Sequence, residues 1–280
     1  MDCVWVAGKA DGDMEKSSGS LVCFATMTPM QSTLPSEMFC LPTGYRQRDI
    51  AWTHDQIRQG EPYWAEWRIS ESAKYQHYVY MWAASLIRRH DLRSVLDVGC
   101  GVGTKLAKWI SPVCGDITGL DQAGALDIAR RRVPNATFLE RDLESPLGGL
   151  PTKFDLIMCV DVIEHLMNPA PVMELLHRSS HSGTYLLIST PERRRERGRL
   201  CMESSKPEHV REWADDEFAA YLSKCGFRVL RQRFVPKADA PIMPGRSGER
   251  AFRAGAADRS PWACQAVLCV PERAREMDHA

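Results

Sequence analysis

Between residues 94 and 189, apolar residues come in short, nearly continuous runs separated by amphipathic segments. The runs at 94–98, 116–121, 136–140, 154–160 and 184–189 predict buried strands. Helical patterns follow most of them, at 103–110, 123–132, 164–180 (expected to break near Pro169) and 215–226. Two more strand patterns, 227–235 and 263–270, have no helical pattern between them. This alternation predicts a mostly parallel sheet covered by helices on both faces.

The same pattern defines the fold class and the domain organisation. We expect an α/β, Rossmann-like doubly wound seven-stranded sheet that ends in an antiparallel C-terminal hairpin. Residues 71–90 predict one helix with aromatic residues on one face. Residues 1–44 show no sustained period, and we expect a poorly ordered extension there. We therefore divide the chain into 1–44, a helical cap at 45–92, the main domain at 93–271 and a tail at 272–280.

Charge and cysteine content narrow the possible partners. The 280 residues contain 36 Lys and Arg against 36 Asp and Glu, so no global field favours nucleic acid or acidic membranes. The basic cluster at 191–199 is interpreted as a solvated loop or a contact for a small anionic substrate. The ten cysteines are scattered without a CxxC motif, and the first residues do not resemble a secretory signal. We expect reduced thiols, a cytoplasmic location and a monomer or homodimer, with no membrane span.

The first strand leads into a turn with three closely spaced glycines, in "VLDVGCGVG". The spacing is GxGxG at Gly99, Gly101 and Gly103, whereas a dinucleotide turn has GxGxxG. Tight strand-to-helix turns also use glycine for steric reasons alone. The turn by itself is therefore compatible with a pyrophosphate site, a nucleoside site or simple helix packing.

Acidic residues follow the next strands at the same edge. Asp121 ends the second strand, where its two oxygens can accept hydrogen bonds from vicinal ribose hydroxyls. Asp142 follows the third strand, where a carboxylate can meet an adenine amino group. The fourth strand ends in "CVDVIEHL". Open α/β sheets bind ligands at the carboxyl ends of their strands, so these features predict a nucleoside site followed by a substrate edge.

With "VLDVGCGVG", "ITGLD", "FLERDLES", "FDLIMCVDVIEHL" and "TYLLISTP", residues 70 to 235 resemble a class I S-adenosylmethionine-dependent methyltransferase of the ubiquinone-pathway O-methyltransferase type. The resemblance implies S-adenosylmethionine as cofactor. We expect a small-molecule acceptor, and the net charge of zero argues against a nucleic-acid partner. Carried over by position, the resemblance implies that the cofactor contacts Tyr75, Asp97, Gly99, Cys100, Gly101, Asp121, Gln122, Asp142, Leu143 and Val160. Asp97 as a helix cap, Asp142 as a turn residue and Tyr75 as a packing residue remain alternatives.

Methyl transfer to a hydroxyl calls for an in-line geometry and a proton acceptor, and needs no metal. His165 in "VIEHL" and His209 in "KPEHVREW" are the candidate catalytic bases, with loop orientation and packing as their alternative roles. Candidate substrate contacts are Tyr78, Glu192, Arg211 and Trp213. Glu164 and His165 are adjacent and by themselves make a poor chelate, so we expect no metal site. A nicotinamide-dependent oxidoreductase and a non-catalytic S-adenosylmethionine-binding protein are the competing functions.

Overall fold

A single seven-stranded sheet organises the chain. The computed structural model describes residues 34–48, 64–204, 206, 208–236 and 263–272. The sheet order is β3-β2-β1-β4-β5-β7-β6. Strands β1 to β5 are parallel, and β7 is antiparallel to both β5 and β6. The strands are β1 (Ser94–Val98), β2 (Asp116–Asp121), β3 (Thr137–Glu140), β4 (Phe154–Val160), β5 (Ser180–Pro191), β6 (Phe227–Pro236) and β7 (Ala263–Pro271). The predicted fold class is confirmed.

Two α-helices precede β1, and the others lie between β2 and β3, between β4 and β5, and between β5 and β6. They are α1 (Glu66–Ser72), α2 (His77–His90), α3 (Ala123–Arg132), α4 (Ala170–Arg178), α5 (Arg193–Arg197) and α6 (Asp215–Lys224). A π-helical turn at Leu106–Ile110 follows the glycine turn, and 3₁₀ turns lie at Ser36–Phe39 and Ile163–His165. The predicted break near Pro169 is confirmed, because Pro169 is the N-cap residue of α4.

Both faces of the sheet are buried, which explains the continuous apolar runs. In β4, Leu156 and Met158 belong to one hydrophobic cluster and Ile157 and Cys159 to the other. Since successive strand residues point to opposite faces, each face needs its own apolar layer. The carboxyl ends of the parallel strands are therefore the part of the sheet left for a ligand.

The helix predicted at 71–90 is divided in two. Gln76 has φ +70° and separates α1 from α2. His77 stabilises the break, because its Nε2 lies 2.7 Å from the carbonyl of Ala73 and its Nδ1 accepts from Trp109 Nε1 at 2.8 Å. Helix α2 packs on β4, β5 and β6. It is thus a layer of the main domain as well as part of the segment interpreted as a cap.

Residues 34–44 differ from the expectation of poor order. Phe39 and Leu41 are buried in the hydrophobic core together with Tyr45. Trp213 Nε1 donates to the Phe39 carbonyl at 2.8 Å, and the Tyr45 hydroxyl accepts from the Glu212 amide at 2.8 Å. The sequence pattern missed this segment because it packs as a loop without a helix or strand period. Residues 1–33 lie outside the described part of the chain.

Two further expectations can be compared with the described residues. None of their helices is both long and apolar enough for a membrane span. The described cysteines all carry free thiols. The buried ones are Cys100, Cys114, Cys159, Cys264 and Cys269, and the partly buried ones are Cys40, Cys201 and Cys225. Cys3 and Cys23 lie outside the described residues.

Candidate active site at the carboxyl edge of the sheet

The glycine turn after β1 is built on positive backbone angles. Gly99, Gly101 and Gly103 have φ of +76°, +56° and +73°, a region that L-residues with a side chain rarely adopt. A Cβ on Gly99 would lie 2.4 Å from Val162 Cγ2. The amides of Gly99 and Cys100 both donate to the Leu120 carbonyl, at 2.8 and 3.1 Å. The turn is therefore fixed between the ends of β2 and β4.

Gly101 and Gly103 have different neighbours. A Cβ on Gly103 would lie 3.1 Å from Ala129 Cβ on α3, so this glycine permits close helix packing. A Cβ on Gly101 would face the Trp64 indole at 3.4 Å. The Trp64 ring therefore covers the outer side of the turn. Helix packing accounts for Gly103, whereas the absence of a side chain at Gly101 lets the Trp64 indole lie against the turn.

Asp97 is buried beneath this turn. Its Oδ2 accepts a hydrogen bond from the Tyr80 hydroxyl at 2.8 Å, and its Oδ1 is buried with no hydrogen-bond partner in the described part of the chain. Burial raises the pKa of Asp97 to about 7, although Tyr80 and Lys105 act in the opposite direction. A carboxyl group with one unused, buried oxygen is suited to a positively charged ligand group.

Asp121 holds the turn from the β2 side. Its Oδ2 accepts from the Gly101 amide at 2.7 Å and its Oδ1 accepts from the Gln122 amide at 2.8 Å. A carboxylate can accept up to about four hydrogen bonds, and Asp121 ends β2 at the edge where the ribose is expected. Asp121 can therefore orient the turn and accept from the ribose hydroxyls at the same time.

Asp142 is exposed in the loop after β3. It accepts from the Glu144 amide at 3.0 Å and from Ser145 Oγ at 2.7 Å. These local bonds fix the turn, as the alternative interpretation expected, and the adenine contact stays a prediction. Leu143 packs against one of the hydrophobic clusters, and Val160 is the buried last residue of β4.

The residue after β4 has an unusual backbone conformation. Asp161 has φ +52°, and its Oδ1 accepts from Ser189 Oγ at 2.7 Å and from Cys264 Sγ at 3.3 Å. Strained non-glycine residues of this kind concentrate at functional sites. Asp161 starts the segment that reaches Val162, which packs on Gly99, and then the 3₁₀ turn at Ile163–His165.

The two candidate histidines meet at this 3₁₀ turn. The rings of His165 and His209 lie edge to face with centroids 4.8 Å apart. One ligand atom each from Glu164, His165 and His209 can be chosen so that all lie within 4.8 Å of one another. Glu164 and His209 are buried, and His165 is partly buried. Burial lowers the pKa of the His165 imidazole, which the Glu208 carbonyl partly counteracts.

Backbone bonds bring His209 to this position. The amide of Val210 donates to the Glu164 carbonyl at 2.8 Å, and the amide of Arg48 donates to the Val210 carbonyl at 3.0 Å. Residues 208–213 therefore pass as a buried strap between the 3₁₀ turn and segment 34–48. Of the candidate residues on this strap, His209 is the one that reaches the cluster.

The other two candidates on the strap make buried contacts within the protein, and their assignment to substrate binding stays a prediction. Trp213 is fully buried and packs against Phe218 and Tyr221. The Arg211 guanidinium is 1% exposed; it donates to the carbonyls of Leu166 and Met167 and to Gln47 Oε1. These partners were not visible in the sequence because they are far away along the chain.

Glu192 is also a structural residue. It is 2% exposed, and its carboxylate accepts from the Arg195 amide at 2.6 Å and from the Asp215 amide at 3.2 Å. It thereby caps the first turns of α5 and α6, as acidic residues commonly do. Its substrate contact stays a prediction.

Tyrosines of α2 and the segment before it occupy different environments. Tyr78 packs beside a hydrophobic cluster, which agrees with the packing alternative, and Tyr75 is partly buried just before α2. Tyr80, which the sequence did not single out, is the tyrosine that binds Asp97. Lys105 was also missed; it is 7% exposed, and burial lowers its pKa while Asp97 raises it. The helical pattern at 71–90 predicts which face of the helix is buried. It does not show which tyrosine hydroxyl binds a carboxylate.

The residues at this edge fit S-adenosylmethionine. The unused buried oxygen of Asp97 suits the charged methionine end, and the Gly101 amide holds the turn against Asp121. The carboxylate of Asp121 suits the ribose hydroxyls. These three residues, with Gly99, would hold the cofactor between the ends of β1 and β2.

Comparisons with known proteins agree with this geometry. A family model described as a methyltransferase domain matches residues 69–232, more than half of the chain. The ubiquinone biosynthesis O-methyltransferase of Serratia proteamaculans is 31% identical over 106 residues, which cover 36% of this chain and 44% of that protein. The trans-aconitate 2-methyltransferase of Rhizobium etli is 30% identical over 144 residues, covering 50% of this chain and 56% of that protein. The chain thus spans about half the length of these relatives.

A solved structure shares the fold. The plantazolicin methyltransferase BpumL, in complex with a triazolic desmethylPZN analogue and SAH, has a TM-score of 0.52 and 18% identity, covering 74% of this chain and 90% of that chain. The family match also excludes the nicotinamide-dependent interpretation of the glycine turn. On the evidence of its sheet order, its glycine turn and the family model, this chain belongs to the methyltransferase-domain family, in the class I group that uses S-adenosylmethionine.

Proposed function

We propose that the chain transfers a methyl group from S-adenosylmethionine to a hydroxyl oxygen of a small-molecule acceptor. When bound, the cofactor supplies a methyl group on a sulfonium, and its transfer forms an oxygen–carbon bond while the carbon–sulfur electron pair returns to sulfur. The residues around it must therefore hold the acceptor in line and remove the hydroxyl proton. The observation that carries the proposal is the histidine cluster beside the glycine turn.

The cluster lies at the correct edge for an acceptor. Val162 packs on Gly99, and His165 follows three residues later on the same 3₁₀ segment. The acceptor site is therefore adjacent to the strand ends that hold the cofactor. His165 is partly exposed, so an acceptor can reach its ring.

The hydrogen bonds of His165 suit proton transfer. The Glu208 carbonyl lies 2.8 Å from Nδ1, and a carbonyl oxygen can only accept, so Nδ1 carries the proton. The lone pair of the neutral ring is therefore on Nε2. Because burial lowers the pKa of this imidazole, the neutral form dominates near pH 7, which supports a role in removing the acceptor proton.

The test is methyl transfer with a panel of hydroxylated and amino acceptors, followed by mass spectrometry. His209→Ala should reduce the transfer rate by about ten-fold or more, while S-adenosylmethionine affinity measured by calorimetry stays within about two-fold, since His209 lies on the acceptor side. Transfer to amines alone would disprove the hydroxyl assignment. An equal loss of methyl-transfer rate and of S-adenosylmethionine affinity would show that His209 stabilises the fold and does not act on the acceptor.

A further inference from the structure

We infer that Glu164, His165 and His209 form a site for a divalent transition-metal cation at the acceptor side of the pocket. The sequence offered Glu164 and His165 as an incomplete pair. The fold adds His209 from the buried strap, and the three ligand atoms come within 4.8 Å of one another. Two imidazoles and one carboxylate are the donor set that suits Mn²⁺, Fe²⁺, Co²⁺ or Zn²⁺.

The dimensions of the cluster are close to those of a bound ion. Nitrogen and oxygen ligands bind such cations at about 2.0–2.2 Å, so two ligand atoms of one tetrahedral ion lie about 3.3–3.6 Å apart. The upper limit in the cluster is 4.8 Å. A contraction of roughly 1 Å between the most widely separated ligand atoms, by side-chain rotation, would close the site around a cation.

The orientation of both imidazoles is an independent indication. Metal-binding histidines usually donate their second ring nitrogen to a carbonyl or carboxylate, which fixes the tautomer and the ring direction. Here Nδ1 of His165 faces the Glu208 carbonyl at 2.8 Å, and Nδ1 of His209 faces Glu212 Oε1 at 2.6 Å. In both rings Nε2 is consequently the nitrogen that offers a lone pair.

The groups behind the cluster are also fixed in position. Thr190 Oγ1 donates to Glu164 Oε2 at 3.1 Å, and Ser204 Oγ donates to Glu212 Oε1 at 2.9 Å. The Glu212 side chain is fully buried. A buried carboxylate behind a histidine raises the basicity of that histidine as a ligand. The three candidate ligands are therefore supported by a second set of hydrogen-bonding side chains. Of the three ligands, His165 is the one that is only partly buried.

The location indicates what the cation would do. The inference rests on the proposed function in this one respect: an ion on the acceptor side would bind an acceptor oxygen directly. A bound cation lowers the pKa of a hydroxyl and so favours loss of its proton near pH 7. The ion, held by both histidines, would then replace a free imidazole as the activating group.

Direct metal binding tests the inference separately from methyl transfer. The full chain, purified without a polyhistidine tag and treated with a chelator, is titrated with Co²⁺ by visible absorption and with Mn²⁺ by calorimetry. We expect one ion per chain. His165→Gln and Glu164→Gln should each weaken binding by about ten-fold or more. His181→Gln is the matched control, since His181 pairs with Asp155 at 3.1 Å outside the cluster, and it should bind as the parent does.

The folded state of each variant is checked by its melting temperature. His165→Gln is the decisive variant because its ring is partly exposed, so it should fold even where substitution of the buried Glu164 does not. Absence of Co²⁺ and Mn²⁺ binding in the parent, or parent-like binding by His165→Gln, would overturn the inference. The cluster would then be a set of hydrogen-bonded side chains without a metal. Calorimetry with S-adenosylmethionine and the methyl-transfer assay are run on the metal-free parent in parallel. Cofactor binding and methyl transfer without metal would support the proposed function even if the metal site is absent.

Discussion

Asp97 is the residue where burial and charge oppose each other most directly. Its carboxyl group is fully buried, and the Tyr80 hydroxyl satisfies one of its oxygens. Burial alone would keep it neutral, whereas Lys105 favours the ionised form. A cationic ligand group beside the second oxygen would shift this balance towards the carboxylate, so cofactor binding and the protonation of Asp97 are coupled.

This conflict predicts a pH dependence of stability in the ligand-free protein. The pKa of Asp97 is raised by burial from 3.8 to about 7. Its contribution to the free energy of unfolding is therefore fully present below about pH 4 and is lost as the pH rises through about 7. Asp97→Asn, which stays neutral, should remove this part of the dependence. Urea unfolding from about pH 4 to about pH 8 measures the effect.

The control for this experiment is Asp127→Asn on α3. Asp127 is an exposed residue whose carboxylate pairs with Arg130 at 3.1 Å. Its variant should follow the pH curve of the parent. If Asp97→Asn also follows that curve, the carboxyl group of Asp97 does not titrate in the way described.

Asp121 gives a prediction about the cofactor. Asp121→Ala removes a carboxylate that accepts from the Gly101 amide and is expected to accept from the ribose hydroxyls. Loss of two charge-assisted hydrogen bonds should reduce S-adenosylmethionine affinity by roughly 2–4 kcal/mol. Calorimetry on the folded variant measures this, with Asp127→Ala as control. Unchanged affinity in Asp121→Ala would refute the ribose assignment.

At the level of elements, the turn after β1 is the part most sensitive to a single methyl group. Gly99→Ala would place a Cβ 2.4 Å from Val162 Cγ2 at a φ of +76°. Val162 must shift, and with it the 3₁₀ turn that carries His165. We expect a loss of roughly 1–3 kcal/mol of stability together with weaker cofactor binding.

Gly115→Ala is the matched control for the turn. An added Cβ at Gly115 meets no atom within 4 Å, and its φ is not in the left-handed region. Thermal unfolding of both variants should separate them clearly. Equal melting temperatures for Gly99→Ala and the parent would show that the Val162 side chain yields at little cost.

The sequence predicted the elements much better than the contacts between them. Strands β1, β2 and β4 and helix α3 have their predicted bounds, because both faces of the sheet demand apolar residues and each turn has glycine or acidic signals. The break at Gln76 was not predicted, because it depends on the hydrogen bond between His77 and Trp109. The buried hydrogen bonds of Arg211 and Trp213 were not predicted for the same reason, since their partners lie more than 40 residues away.

At the scale of the whole molecule, segment 34–48 and the strap at 208–213 stabilise one another. Arg211 stacks on the Phe39 ring, with its guanidinium carbon 3.9 Å from the ring centre, and the Gln47 side chain accepts from the same guanidinium. Because the strap delivers His209 to the site, the N-terminal segment supports the acceptor side at a distance. This connection could not be predicted from the sequence, since segment 34–48 has no regular apolar period.

Truncation tests this connection. Deletion of residues 1–29 should leave the melting temperature unchanged, because that stretch has no periodic apolar face; it lies outside the described residues. Deletion of residues 1–48 should destabilise the protein strongly, since loss of a buried phenylalanine alone costs about 3–5 kcal/mol. Phe39→Ala in the full chain should reproduce much of the loss. A melting temperature within a few degrees of the parent would contradict this prediction.

The position of β7 has a consequence for how the chain reaches its folded state. Strand β7 follows β5 and β6 along the chain, yet it lies between them and pairs with both. Until the ribosome has released it, β5 presents an open edge that carries Leu186 and Ile188. Pairings between segments so far apart along the chain form slowly, and unpaired apolar edges invite aggregation. The nascent chain is therefore most in need of a chaperone in the interval between synthesis of β5 and release of β7.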